Sequence, residues 1–361
     1  VAARLLLLAA ILAAEFAALE AGLRWHGGSD ASPAFQSLFM QDPAVGHRLK
    51  PNARARYTTV EFSTDLAINA QGVRDDAPIG PKAPGERRLL VLGDSLVFSV
   101  QVPLVETFCK RLEARLNARS DGGRWRVING GVQGYSPIHE WFFFDRVAAA
   151  FEPDVVLLVV FVGNDAVEAH DLEPWLAAGK PVATAGTAPG GLRRLVRSSI
   201  VLQLVRMRWD QLRARFASPT PERPLASYLE DPPAFVQNGL DVTRQVTRLV
   251  ADRGAAQGAR TGLVLMPARF QIDDGDYGRL AEVVRQNGGR LVRNAATERF
   301  RASLEPLGLP LLDLLPILER QPDRSGLFFQ RNVHLTPRGH GVVADALASF
   351  LASSGLVPSI R

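Results

Sequence analysis

The eight residues Val155-Val156-Leu157-Leu158-Val159-Val160-Phe161-Val162 include no polar side chain, and this run limits the fold more than any other stretch of the chain. Successive side chains of a strand point to opposite faces, so a strand that is apolar at every position must be covered on both. That is how the central strand of a parallel sheet reads. Shorter strand-like runs recur at residues 89–92, 126–128, 261–266 and 309–312. Between them lie stretches with helical spacing: in residues 106–118, Phe108, Leu112 and Leu116 share one face, and residues 140–151 and 342–351 read as further helices. Strands alternating with helices predict an α/β fold, a doubly wound three-layer sandwich around a parallel sheet.

The alternation starts near residue 86, and what precedes it is different. Residues 5–19 are nearly all apolar, with Arg4 before them, Glu15 inside them and Glu20, Arg24 and His26 after them. Crossing the hydrocarbon core takes about 20 apolar residues. Three readings compete for residues 1–26: a membrane anchor, a cleaved signal peptide, or a buried soluble helix. The absence of a clear small-x-small cleavage site near residues 18–22 puts the anchor first and the cleaved signal second. Either would place the rest of the chain outside the cytoplasm, in a periplasm, on the cell surface, or secreted. Glu15 argues against the anchor unless it sits near the interface or is protonated. Residues 27–85 divide into a polar linker, 27–40, and a small β-rich preface in which runs at 53–62 and 65–69 are broken by Gly72, Pro78 and Pro81.

Residues 86–361 form the main domain, interrupted by an insertion at 166–235 where prolines bracket one expected helix, 192–216. Leu195, Leu202, Val205, Trp209, Leu212 and Phe216 make an apolar stripe on it, with arginines over the remainder. A helix packed on the domain with a solvated basic face is the preferred reading; a lid, or a basic helix resting on an anionic membrane, is the sharper one.

Composition excludes several function classes. Apolar residues make up 47% of the chain, enough for a core and too few for a multi-span membrane protein. The net charge of +5 comes from scattered arginines, and no compact basic run interleaved with aromatics points to nucleic acid. Cys109 is the only cysteine, so neither an internal disulfide nor a Cys-x-x-Cys zinc site is available. No internal repeat is evident.

In open α/β sheets, ligands collect beyond the carboxyl ends of the strands. Four segments fall at such ends or just before the last helix: Gly93-Asp94-Ser95, Asn129-Gly130-Gly131-Val132-Gln133-Gly134, Gly163-Asn164-Asp165 and His334-Leu335-Thr336-Pro337. Each alone has a bland explanation: a serine caps a helix, Gly-Asn-Asp ends a strand, a lone histidine packs in a core. As an ordered set they resemble the SGNH hydrolase superfamily, the GDSL esterases and lipases, over residues 88–354. The resemblance implies Ser95 as nucleophile, His334 as base, and an oxyanion hole built from the Ser95 and Gly134 N–H groups and the Asn164 amide. His340 is the rival base, but the family pattern puts it at the start of the final helix, where packing or capping is expected.

One position departs from the pattern. The family places an aspartate two or three residues before the base, and here Asn332 and Arg331 stand there. Asn332 could still orient the imidazole through its side-chain oxygen, and a backbone carbonyl could also serve; Asp313, a conceivable displaced acid, is better explained as a turn or helix cap. The expected activity is hydrolysis of carboxylic esters, O-acetyl esters included, through an acyl-serine intermediate. The alternatives are O-acyl transfer to a cell-surface polysaccharide and a catalytically silent module that binds acylated glycans. A lipase acting on the bilayer is a further idea. The implied partner is an acylated carbohydrate or other ester, with no nucleic acid and no metal or organic cofactor.

Overall fold

A computed structural model describes residues 11, 13–18, 20–22, 33–75, 77–118, 123–182, 199, 201–202 and 223–357. Most of the expected 192–216 helix and the first ten residues lie outside them. Among the described residues, no helix is long and apolar enough to cross a membrane.

Five strands form the parallel sheet: β5 (Glu86–Gly93), β6 (Arg124–Gly131), β7 (Val155–Phe161), β8 (Arg260–Met266) and β9 (Leu311–Asp313), in the order β6-β5-β7-β8-β9. Numbered from the first strand of the sheet, this is 2-1-3-4-5, the flavodoxin-like doubly wound order. The apolar run is β7, and its two faces feed two separate cores. Val156, Leu158 and Val160 join Leu90, Leu92, Leu263 and Leu265 on one side. Val155, Leu157 and Val159 join Leu89, Val91, Val264 and Met266 on the other.

The helices that cover these faces are α1 (Ser95–Phe98), α2 (Phe108–Ala118), α3 (Pro137–Arg146), α4 (Asp165–Ala178), α5 (Ala234–Ala255), α6 (Asp274–Gln286), α7 (Ala295–Leu304) and α8 (Pro337–Ser353). α2 and α8 pack together on the second face, while α3, α4 and α5 pack together on the first. Several boundaries differ from the sequence reading. The helix expected at 140–151 starts three residues earlier, where Ser136 and Pro137 supply a cap and a first-turn proline, and beyond Val147 it gives way to a 3₁₀ turn. The stretch 166–235 opens with α4, a full crossover helix of the fold, so the alternation continues further than the proline content suggests.

The preface consists of two hairpins, β1 (Phe39–Asp42) with β2 (Gly46–Leu49) and β3 (Arg54–Thr58) with β4 (Ser63–Ala67). The expected linker 27–40 therefore already contains the start of β1. The hairpins are not a separate module. Phe35, Leu38, Val45, Tyr57, Leu66 and Ile68 belong to the same core as Phe98, Tyr135 and Ile138. Arg74, buried just past β4, donates to the carbonyls of Phe98 (3.0 Å), Ser99 and Val102 (2.6 Å), fixing the preface to the turn that follows α1.

α4 and α5 touch backbone to backbone at Gly239, where a Cβ would lie 1.7 Å from the Ala166 carbonyl oxygen. Gly239→Ala is therefore expected to destabilise the protein by about 1–3 kcal/mol through overpacking, read as a lower midpoint in urea or thermal melts.

Candidate active site

The strand order creates the site. The chain leaves β5 toward α2 on one face of the sheet and leaves β7 toward α4 on the other. Adjacent connections that diverge in this way open a crevice at the carboxyl edge, the switch point where doubly wound folds bind ligands. Ser95 follows β5 and Asn164 follows β7, on the two sides of that crevice, while Gly134 follows β6.

Ser95 opens α1, and the helix is capped by Asp94, whose carboxylate accepts from the Leu96 N–H at 2.8 Å. The cap frees the Ser95 hydroxyl. The Ser95 N–H lies in a first helical turn, where backbone donors have no intrahelical partner. Close packing behind Ser95 requires Gly131, since a Cβ there would come within 2.3 Å of the Phe98 nitrogen. Asn129 ties the same two segments together: its amide donates to the Val97 carbonyl at 2.8 Å, and its oxygen accepts from the Gly131 N–H at 3.0 Å.

His334 reaches Ser95 from the far end of the chain, with its Nε2 2.8 Å from Ser95 Oγ. Its Nδ1 lies 2.5 Å from Asn332 Oδ1. The same oxygen accepts from the backbone N–H of His334 at 3.1 Å. That second bond decides the orientation of the amide, because a backbone N–H can only donate and must face oxygen. With oxygen facing Nδ1, the imidazole carries its proton there, and the bare Nε2 accepts the Ser95 hydroxyl. The arrangement sets the tautomer that a general base needs. Asparagine at this point in a serine protease costs about 10,000-fold in kcat by enforcing the wrong tautomer; here the backbone bond prevents that. What Asn332 lacks is charge to stabilise the imidazolium.

Gly134 adopts a left-handed backbone with φ +73° and is exposed, and a Cβ on it would meet no atom of the protein. Conformation, rather than crowding within the protein, calls for glycine there. The neighbouring segment is clamped by the preface: His47 Nε2–H donates to the Gln133 carbonyl at 3.0 Å, and the Tyr135 hydroxyl donates to the His47 carbonyl at 2.8 Å. Burial pushes the His47 imidazole down toward its neutral form, with the Gln133 bond acting against the shift. Sequence reasoning did not find His47, since a lone histidine in a β-rich preface has no local signature.

Asn164 stands at the N-cap position of α4 without a side-chain capping bond, and its amide donates to Glu168 one turn further on at 2.7 Å. Glu168 belongs to a group of four carboxyls beneath the crevice, with Asp94, Glu140 and Asp165. Both Glu140 oxygens, one of Asp165 and one of Glu168 are buried without a hydrogen-bond partner among the described residues. Burial pushes all four upward: Asp94 to about 7, against the pull of the Leu96 N–H, and Glu168 to about 8, helped by the charge of Asp94. Glu140 and Asp165 rise well above the usual carboxylate range, from burial first and from neighbouring charge second, that of Asp94 on Glu140 and that of Glu140 on Asp165. A neutral carboxyl gains an O–H donor, whereas an ionised one can only accept, so the neutral form suits a site made of acceptors. Among the described residues, no set of His, Cys, Asp and Glu has the arrangement to hold a metal ion.

The remaining candidates have structural partners. His340 is buried, accepts from the Phe108 N–H at 3.2 Å and stacks on the Phe108 ring; burial pushes it down to about 3. Asp313 accepts from the Leu315 N–H at 2.9 Å and pairs with Arg301, which makes it a turn residue. Cys109 is buried, and burial pushes its thiol upward, away from the reactive thiolate.

Residues 229–359, which include Asn332 and His334, match the sequence model of a family described as ALGX: SGNH hydrolase-like domain, acetyltransferase AlgX. The matched stretch spans about a third of the chain. Similar solved structures include TesA (15% identity over 75% of this chain and 100% of that one, TM-score 0.41). A lipase/acylhydrolase from Enterococcus faecalis is 12% identical over 76% of this chain and 99% of its own, with a TM-score of 0.41. A catalytic mutant of Axe2, an acetylxylan esterase from Geobacillus stearothermophilus, is 14% identical over 76% and 96%, with a TM-score of 0.39. No curated protein matches the sequence significantly.

Two outcomes are expected from this geometry. Asn332→Asp keeps the oxygen facing Nδ1 and adds charge; replacing a neutral acceptor by an ionised one gains about 1–1.5 kcal/mol, or about tenfold in rate. The base of that variant should titrate at higher pH, so the acid limb of its pH–rate profile moves up, which steady-state assays across pH 5–9 would show. The second outcome concerns stability. Groups neutral in the folded protein and ionised in the unfolded chain stabilise the fold fully below about pH 4. That stability is lost as the pH rises through the folded values, about 7 for Asp94 and about 8 for Glu168. Glu140→Gln removes one such group, so its melting temperature should exceed that of the wild type most at pH 8 and fall less steeply between pH 5 and 8.

Proposed function

We propose that this protein is a serine-dependent acyl-transfer enzyme that moves an acetyl or similar short acyl group onto a hydroxyl of a polysaccharide through an acyl-serine intermediate. The observation that carries the serine chemistry is the continuous hydrogen-bonded line from Ser95 Oγ through His334 to the oriented oxygen of Asn332. The choice of transfer over hydrolysis is supported by the acetyltransferase description of the family whose model matches residues 229–359.

In this reading His334 Nε2 takes the Ser95 proton as Oγ attacks the acyl carbonyl. Negative charge develops on the carbonyl oxygen, and the Ser95 and Gly134 N–H groups and the Asn164 amide meet it. The tetrahedral intermediate collapses, the protonated imidazole returns its proton to the departing alcohol, and the acyl group stays on Ser95. A sugar hydroxyl then gives its proton to His334 and attacks the acyl-serine, releasing the acylated polysaccharide and the free serine. If water takes the place of the sugar, the same residues perform ester hydrolysis, the second reading that this geometry supports. The apolar run at residues 5–19 supports an extracytoplasmic location for the substrate.

The test is incubation with p-nitrophenyl acetate and oligosaccharide acceptors, with acetate and acetylated sugar measured separately. Acetylated sugar from the wild type and none from Ser95→Ala is the expected result. Acetate alone with every acceptor would replace the transferase reading by the hydrolase one. A folded wild-type protein that resists a fluorophosphonate probe would sink both in favour of a glycan-binding module.

A further inference from the structure

The base sits on a small closed loop. Phe328 and Leu335 form an antiparallel bridge, and the Phe329 N–H donates to the His334 carbonyl at 3.0 Å. Residues 330–333 make the tip. From the side of the sheet, Arg269 holds this loop just past β8, donating to the carbonyls of Phe329 at 2.8 Å and Gln330 at 2.5 Å. From the opposite end of the sequence the loop is held by Glu61, in the turn between β3 and β4. Both Glu61 carboxylate oxygens lie 3.0 Å from the Arg331 nitrogen, whose N–H they accept.

The turn is built to present that carboxylate. Thr59 Oγ1 accepts from the N–H groups of Glu61 at 3.2 Å and Phe62 at 3.3 Å, and the Thr59 N–H donates to the Phe62 carbonyl at 2.8 Å. The Phe62 ring packs between Tyr57 of β3 (5.3 Å between centroids) and Phe329 of the base loop (5.4 Å). Polar and aromatic contacts thus join the same hairpin to the same loop.

We propose that Glu61 is a positioning residue for the base, gripping the backbone next to Asn332 so that Asn332 and His334 keep the pose that points Nε2 at Ser95. The inference rests on the serine-enzyme reading above. An asparagine holds an imidazole by geometry alone, without the long-range attraction of a carboxylate, so the backbone that carries it has to be fixed from outside. Two of the positions where the family supplies its acid are Arg331 and Asn332, and the preface delivers a carboxylate to the backbone of the first. A misplacement of 1 Å costs up to about a hundredfold in rate.

The experiment uses the full chain as wild type, Glu61→Ala and Glu61→Gln, with melting curves to verify folding. The readouts are the rate of fluorophosphonate labelling at Ser95, kcat and KM on p-nitrophenyl acetate, and hydrogen exchange over residues 328–335. Glu61→Ala should label and turn over about tenfold more slowly at unchanged KM, with faster exchange in the loop. Glu61→Gln keeps an accepting oxygen and should recover most of the rate and the protection. Wild-type rates in Glu61→Ala, or no recovery in Glu61→Gln, would overturn the inference. If even the wild type resists the probe, it is the serine-enzyme reading that fails. Exchange then decides for Glu61: loss of protection in the alanine variant with retention in the glutamine variant upholds the grip, and unchanged protection overturns it.

Discussion

Burial of the central sheet from both sides is the constraint on which the rest depends. With Val155 to Val160 packed into two cores, neither face of β7 can carry a polar function, and only the strand ends remain for chemistry. The order 2-1-3 at the start of the sheet then decides which ends matter, because the connections leaving β5 and β7 part to opposite faces. Ser95 and Asn164 stand where they do because of how the apolar strands are covered.

The polar residues at that edge are held by geometry more than by charge. Asn332 is fixed by the backbone N–H of His334, so a neutral amide does the orienting work of a carboxylate. Beneath the crevice the usual preference is reversed as well: four acidic side chains lie where burial favours their protonated forms. Glu168 connects the two regions, since it holds the Asn164 amide and also belongs to the carboxyl group. The crevice is therefore lined by groups that direct hydrogen bonds while adding little net charge.

Much of this was legible in the sequence, for reasons that are local. The apolar run, the strand-end segments and the terminal helix announce themselves through nearest-neighbour pattern, whereas Ser95, Gly134, Asn164 and His334 are singled out only by the family resemblance that the ordered segments carry. Asn332 was identified as the departure, but its orientation depends on one backbone bond that no pattern encodes. Glu61, His47 and Arg74 were missed because each acts at a sequence distance of tens to hundreds of residues on a loop it does not adjoin. Their residue types are ordinary for a β-rich preface. Helix boundaries shifted where a cap or a proline, as at Ser136-Pro137, outweighed apolar spacing. The preface was recognised as β-rich, whereas its membership in the main core could only come from the packing of Phe35, Tyr57 and Leu66.

Ser95 and His334 lie 239 residues apart, on either side of nearly the whole domain. Chains leave the ribosome N-terminus first at about 5–20 residues per second, so roughly 12–50 seconds separate the emergence of the serine from that of its base. The preface is already out when the serine appears, and the turn bearing Glu61 waits for a loop that lies 270 residues further along the chain. The Ser95 hydroxyl of a growing chain therefore has no imidazole partner until residue 334 has been made.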